Sequence, residues 1–392
     1  MNSIVRLFKN NIRQYGMVFA LAFIMILFQI TTGGIMFKPM NITNLVLQNS
    51  YVLILAIGML LTIVTGNIDL SVGSVAAFIG AIAAVMMVDN HMPVVPAIAL
   101  ALMIGAAVGA FHGYFISFLR IPAFIVTLAG MLIFRGLTMV ILQGQTKAPF
   151  ATSFQLLAAG YIPGMDIRWQ GLGFNIIAAA TGLVLSIILV VMMLNARRTR
   201  QRYHFDVIPL WLDIVKMAVI VAAVNLLTLE LAAYNGIPII LIILSFLIVV
   251  YTFITQRTVI GRHIYALGGN EKAARLSGVK TTRILFWVYV NMGVLSALAG
   301  LIVAGRLNAA TPKAGTGFEL DAIAACFIGG ASASGGIGTV IGTIVGGFVM
   351  GVLNNGMSIM GVSVDWQQSI KGLVLLGAVW FDVYTKTRSQ SK

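Results

Sequence analysis

The chain has 392 residues, 59% hydrophobic and 9% charged, where a soluble chain carries about 25% charged residues. With a mean hydropathy of +1.00, this excludes a soluble domain and leaves a helical membrane protein, in which strands are not expected. The net charge of +14 does not indicate nucleic-acid binding, because the basic residues lie at the ends of apolar runs. The single cysteine, Cys326, sits in an apolar run, which excludes a disulfide framework and reads as a buried, inert thiol.

A basic segment, 1–14, opens the chain, followed by a first span over 15–31 that is too long for a cleaved signal. A second span starts from 41–44 and runs over 45–65. Thr65 to Gly73 interrupts it, and 74–88 resumes. Further spans follow at 94–119 and, opened by Pro122, up to 142. A polar-aromatic loop covers 143–171. Residues 173–194 form the sixth span. Arg197, Arg198, Arg200 and Arg202 follow in one cluster before 207–229 and 237–255. After a polar segment, 256–283, come 284–305, a short element at 319–330, and spans at 339–353 and 370–384. This gives a single all-α polytopic membrane domain over 1–392 with about twelve spans, of which one or more are broken or short.

Lys and Arg in short loops mark the cytoplasmic side. With the N-terminus inside, seventeen of the 25 fall on cytoplasmic ends, five fall outside, and Arg135, Lys216 and Lys371 fall within spans. Both termini are therefore expected in the cytoplasm.

Segment 256–283 carries six of these basic residues. Gly268 and Gly269 break the chain there. Asn270 can cap a helix through its side-chain oxygen. Glu271 suits the first turn and can pair with Arg275 four residues on. Gly278 is a C-terminal stop. The pattern predicts a helix over 271–277, including Leu276 and Ser277. Isolated helices shorter than about 12 residues are marginal in water, so it must dock on its own chain or on a partner. The plainer reading is an ordinary basic loop.

Polar groups inside spans are costly and often functional. Asn67 and Asp69 lie in the break after the second span, and Glu319 and Asp321 open the short tenth element. These are candidate pathway residues; the plainer reading is that Asp69, Glu319 and Asp321 are helix caps or first-turn charges and that Asn67 and Asp69 bound a broken helix. Arg135 and Lys371 read as snorkelling side chains, with a pathway role as the other reading. Gly342 with Gly346, and Gly347 with Gly351, are pairs that let helices approach closely. The turn 334–338 lacks the strand and lysine of a phosphate loop. His112 and His263 have no carboxylate or thiol at ligand spacing, and no nucleophile motif is present. Translocation remains, by one of two routes. A secondary transporter needs a coupling carboxylate in mid-membrane, whereas an ATP-driven permease needs a docking element for its motor. The acidic residues lie near span ends, which favours the second.

The run from Gly261 to Gly278, GRHIYALGGNEKAARLSG, resembles the cytoplasmic signature of permeases of ribose/galactose/xylose-type ABC importers. IDLSVGS at 68–74, PAFIVTLAGM at 122–131 with Arg135-Gly136, ELDAIAA at 319–325 and LNNGM at 353–357 are similar to other motifs of that family. The last adds Asn354 and Asn355 to the candidate pathway or helix-break residues. The resemblance implies a bacterial inner-membrane homodimer with one pathway for a monosaccharide, and no cofactor of its own. It also implies an extracytoplasmic sugar-binding protein and a tandem-cassette ATPase that holds ATP and Mg. Gly268, Asn270, Glu271, Arg275, Leu276, Ser277 and Gly278 then form the element that couples to that ATPase, within a loop at 256–283. The hairpin at 173–229 is an extra element relative to ribose-type permeases. It resembles the xylose and multiple-monosaccharide permeases, so an aldopentose or a mixed set of sugars is expected.

Overall fold

The computed structural model describes residues 2–164, 166–169, 172–203, 205, 207 and 209–390, with side chains described for 16–164, 174–203, 205, 207 and 209–380. The elements are α1 (Asn2–Thr31), α2 (Pro39–Val64) and α3 (Val72–Ala84), the last running into a π-helical turn at Val85–Asp89. Then come α4 (Val94–Gly113) with a second π-helical turn (Tyr114–Phe118), α5 (Ala123–Leu142), α6 (Thr152–Ala159), β1 (Asp166–Trp169) and β2 (Leu172–Asn175). The rest is helical: α7 (Ile176–Arg202), α8 (Leu210–Ala232), α9 (Ile239–Arg257), α10 (Val259–Gly269), α11 (Glu271–Leu276), α12 (Thr281–Leu307), α13 (Phe318–Ile328), α14 (Val340–Ile359) and α15 (Val364–Gln390).

The twelve expected spans map onto α1–α5, α7–α9 and α12–α15. Among the described residues, nine helices are long and apolar enough to cross a membrane, and α1 contributes the shorter apolar stretch Gly16–Thr31. α13 has only 11 residues, matching the short tenth element.

Two expectations are corrected. β1 and β2 form an antiparallel hairpin, Asp166 opposite Asn175, where no strand was expected. The ban on open strands holds only within hydrocarbon, and this hairpin lies in the loop between α5 and α7. Segment 256–283 is not a loop with one short helix, since it also holds α10. Thr258 caps α10 by accepting from Gly261 N at 3.2 Å, and Ile264 and Leu267 are buried.

α2 and α12 form the centre. Every residue from 52 to 65 is buried, as expected of a helix apolar all round. α12 lies against α2, α3 and α4, and the approach to α4 is close: a Cβ on Gly109 would come 2.8 Å from Val290 Cα. α14 has two small-residue faces. Gly342 and Gly346 lie on the backbone of α13 and the turn after it, with a Cβ at Gly346 only 2.6 Å from Gly329 N. Gly347 and Gly351 lie against Leu53 and Asn49 of α2. Both glycine pairs therefore serve helix packing, which in lipid depends on close approach.

The α7–α8 hairpin is peripheral and closes mainly on itself. Gly182 seats Thr228, Asn225 Nδ2 donates to Ser186 Oγ at 2.7 Å, and Arg197 pairs with Asp213. Leu183, Ile187, Val219 and Leu226 are exposed on its outer faces.

Candidate functional site

The short helix α11 follows from its local sequence. Asn270 Oδ1 accepts from Ala273 N at 3.0 Å, the N-cap bond that opens α11. At the other end Gly278 N donates to Arg275 O and Val279 N to Ala274 O, both at 3.1 Å, with Gly278 at φ +86. These two bonds are the Schellman closure that a left-handed glycine permits. The helix ends at Leu276, one residue earlier than predicted, and Ser277 is its C-cap.

Only Ala274 of α11 is buried. Leu276 is 90% exposed, and Lys272, Arg275 and Ser277 also face out. Glu271 does not pair with Arg275. Its Oε1 lies 3.4 Å from Arg120 Nη1 in the turn between α4 and α5, and 3.4 Å from Thr281 Oγ1. A tertiary partner has displaced the local one. Under this contact a cavity of about 340 Å³ is lined by Thr65, Gly66, Asn67, Arg120, Leu267 and Glu271, among others.

Gly268 faces inward. A Cβ there would overlap the Val64 carbonyl and lie 2.8 Å from Gly336 N. Gly336 N itself donates to Val64 O at 2.8 Å, and Tyr265 Oη donates to Gly338 O at 2.7 Å. α10 is thus joined directly to the end of α2 and to the glycine-rich turn between α13 and α14. Sequence reasoning excluded nucleotide binding there and read Gly335, Gly336 and Gly338 as close packing, without the backbones they meet. The available signal was the glycines themselves, which mark places where backbones meet.

The candidate pathway residues do not form one site. Asp69 Oδ1 accepts from Ser71 N at 2.8 Å and from Ser71 Oγ at 2.6 Å, a local turn that starts α3. Asn67 Nδ2 donates to Thr65 O and Oγ1, each at 3.2 Å. Both residues shape the break. Asn355 and Asn41 exchange amide hydrogen bonds at 3.0 and 3.1 Å, tying the end of α14 to the start of α2. Among the described residues Asn354 Oδ1 finds no partner. Asp321 is buried on α13 and lies 3.0 Å from Lys371 Nζ, so Lys371 joins α15 to α13 and does not snorkel. Glu319 lies beside Gly73, whose Cβ would come within 2.5 Å of Glu319 Oε2. Among the described residues no group of three His, Cys, Asp or Glu side chains could hold a metal ion.

A bundle of apolar helices long enough to cross a membrane, with short helices between them and a small capped helix at one end, is the architecture of a multi-pass permease. The chain belongs to the family described as branched-chain amino acid transport system / permease component, whose model matches residues 41–379. It is 38% identical to the xylose transport system permease protein XylH of Haemophilus influenzae, over 96% of this chain and 98% of that protein. It is 39% identical to XylH of Escherichia coli K12, over 97% and 94%. To the ribose import permease protein RbsC of E. coli K12 it is 36% identical, over 87% and 85%. No solved structure matches the chain. It is an ABC-type permease of the xylose/ribose kind and a multi-pass protein of the bacterial inner membrane.

Proposed function

We propose that the chain is the permease subunit of an ATP-driven, binding-protein-dependent monosaccharide importer. Two copies form one pathway and work by alternating access. A separate tandem-cassette ATPase supplies ATP hydrolysis with its own Mg, and an extracytoplasmic binding protein delivers the sugar. The observation that carries this reading is α11, a six-residue helix whose Leu276 is uncovered although helices this short need a support. An ATPase that grips α11 pulls on α10, and through Gly268 on the end of α2 and the turn at 334–338. The cargo is proposed to be xylose or a mixed set of monosaccharides. The xylose permeases align over 96–97% of this chain and the ribose permease over 87%, which favours a xylose-type cargo.

The test is uptake of labelled D-xylose, D-ribose and D-glucose into proteoliposomes holding this chain with its candidate ATPase and binding protein. Uptake of at least one sugar is expected only when all three proteins and ATP are present. Uptake that persists without the ATPase and follows a proton or sodium gradient establishes the ion-coupled secondary transporter instead.

A further inference from the structure

Arg135 has no place in the contacts described so far. It lies 12 residues along α5 (Ala123–Leu142), about 18 Å from the cytoplasmic end and about 10 Å from the outer end. The snorkelling expected from sequence does not occur. Its Nη1 donates to Thr316 Oγ1 at 3.1 Å, and its Nε reaches Ser74 Oγ at 3.5 Å. Thr316 belongs to the loop before α13, and Ser74 to the first turn of α3. Next to Ser74, Gly73 lies under the Gly315 carbonyl and Glu319 Oε2. That carboxylate oxygen has no hydrogen-bond partner among the described residues.

Three elements therefore bring a guanidinium, a hydroxyl and an unsatisfied carboxylate together where the first turns of two short helices meet. The cluster is open at its rim and closed at its floor: Thr316 is exposed and Arg135 and Glu319 are half-buried, while Glu319 Oε2 itself is buried. Charged groups at this depth are not left facing lipid, so their open side needs water or a polar solute. The two charges have opposite signs, so the cluster suits a neutral ligand. A sugar hydroxyl both donates and accepts. Arg offers five N–H donors in a fixed fork, and its two contacts here leave others free. The half-buried Glu319 carboxylate supplies acceptors beside it.

We propose that Arg135, Thr316 and Glu319 form a polyol-binding subsite in the outer half of the pathway, with Arg135 donating to one sugar hydroxyl and Glu319 accepting from a neighbouring one. This rests on the reading of the chain as a monosaccharide permease.

The test uses the full chain with its ATPase and binding protein in proteoliposomes. Thr316→Cys is made in a Cys326→Ala background and exposed to a membrane-impermeant methanethiosulfonate from outside. Val184→Cys, on the outer face of α7, serves as the unreactive control. The reagent is expected to modify Thr316→Cys, and the transported sugar to slow that modification at least fivefold. Arg135→Gln and Glu319→Gln are each expected to lower uptake at least tenfold with an unchanged gel-filtration profile, and Arg135→Lys to restore only part of it. A cysteine that never reacts in any nucleotide state, a reaction that sugar does not slow, or wild-type uptake by Arg135→Gln overturns the subsite. If the parent protein shows no ATP-dependent uptake of any sugar, the permease reading itself fails, whichever way the labelling turns out.

Discussion

Two basic segments follow long apolar runs, and they differ in what they touch. The cluster Arg197, Arg198, Arg200 and Arg202 ends α7, on a hairpin whose contacts are mostly its own: Arg197 with Asp213, Asn225 with Ser186, Thr228 with Gly182. The segment holding α10 and α11 is also basic, with its six Lys and Arg spread over 256–283. Its backbone, however, abuts Val64 and Gly336, and its Glu271 reaches Arg120. Both segments are basic, but only one is built into the centre of the bundle. α11 follows α10, which contacts α2 and the turn between α13 and α14, whereas the contacts of α7 lie mostly within its hairpin.

The strongest way to break this contrast is Gly268→Val. Its side chain overlaps the Val64 carbonyl, so uptake is expected to fall more than tenfold, measured with labelled sugar in proteoliposomes. A rate within twofold of the parent would remove the link between α10 and α2. Next is Leu276→Asp. An exposed apolar anchor at a protein interface is worth about 2 kcal/mol or more, so affinity for the ATPase is expected to drop about thirtyfold in a titration on purified subunits, with insertion unchanged. Gly346→Leu intrudes on the backbone of α13 and should destabilise the purified protein by about 1–3 kcal/mol, read as a lowered melting temperature. Arg120→Ala breaks an exposed ion pair and should cost at most about 1 kcal/mol by the same readout. The double variant Glu271→Ala with Arg275→Ala should leave ATP hydrolysis in place while uptake falls. The smallest effect is expected for Arg198→Gln with Arg202→Gln, whose uptake should stay within twofold.

How much could be read from sequence depended on the range of each contact. The start of α11 was legible because Asn270, Glu271 and Gly278 act within one or two turns of themselves. The spans were legible because bilayer thickness sets the length of an apolar run. The roles of Gly342, Gly346, Gly347 and Gly351 also followed from spacing, although not which helix each pair meets. What failed was long-range. Glu271 pairs with Arg120 across 151 residues, and Lys371 with Asp321 across 50. Nothing local announces either pair, so the first was assigned to Arg275 and the second to the membrane surface. The β-hairpin was missed because a rule about hydrocarbon was carried into a loop outside it. The turn 334–338 was tested for nucleotide chemistry, whereas its glycines admit another backbone.

α13 has 11 residues, an axial rise of about 16 Å against a hydrocarbon layer of about 30 Å. In the proposed importer, a pathway running beside α13 would have an insulating barrier roughly half as thick as the surrounding bilayer. Transmembrane voltage falls across insulating material, so the field is concentrated there. An uncharged cargo takes no work from that field, whereas a proton or sodium carrier would. Clamping proteoliposomes at opposite potentials with valinomycin should therefore leave the ATP-dependent rate unchanged.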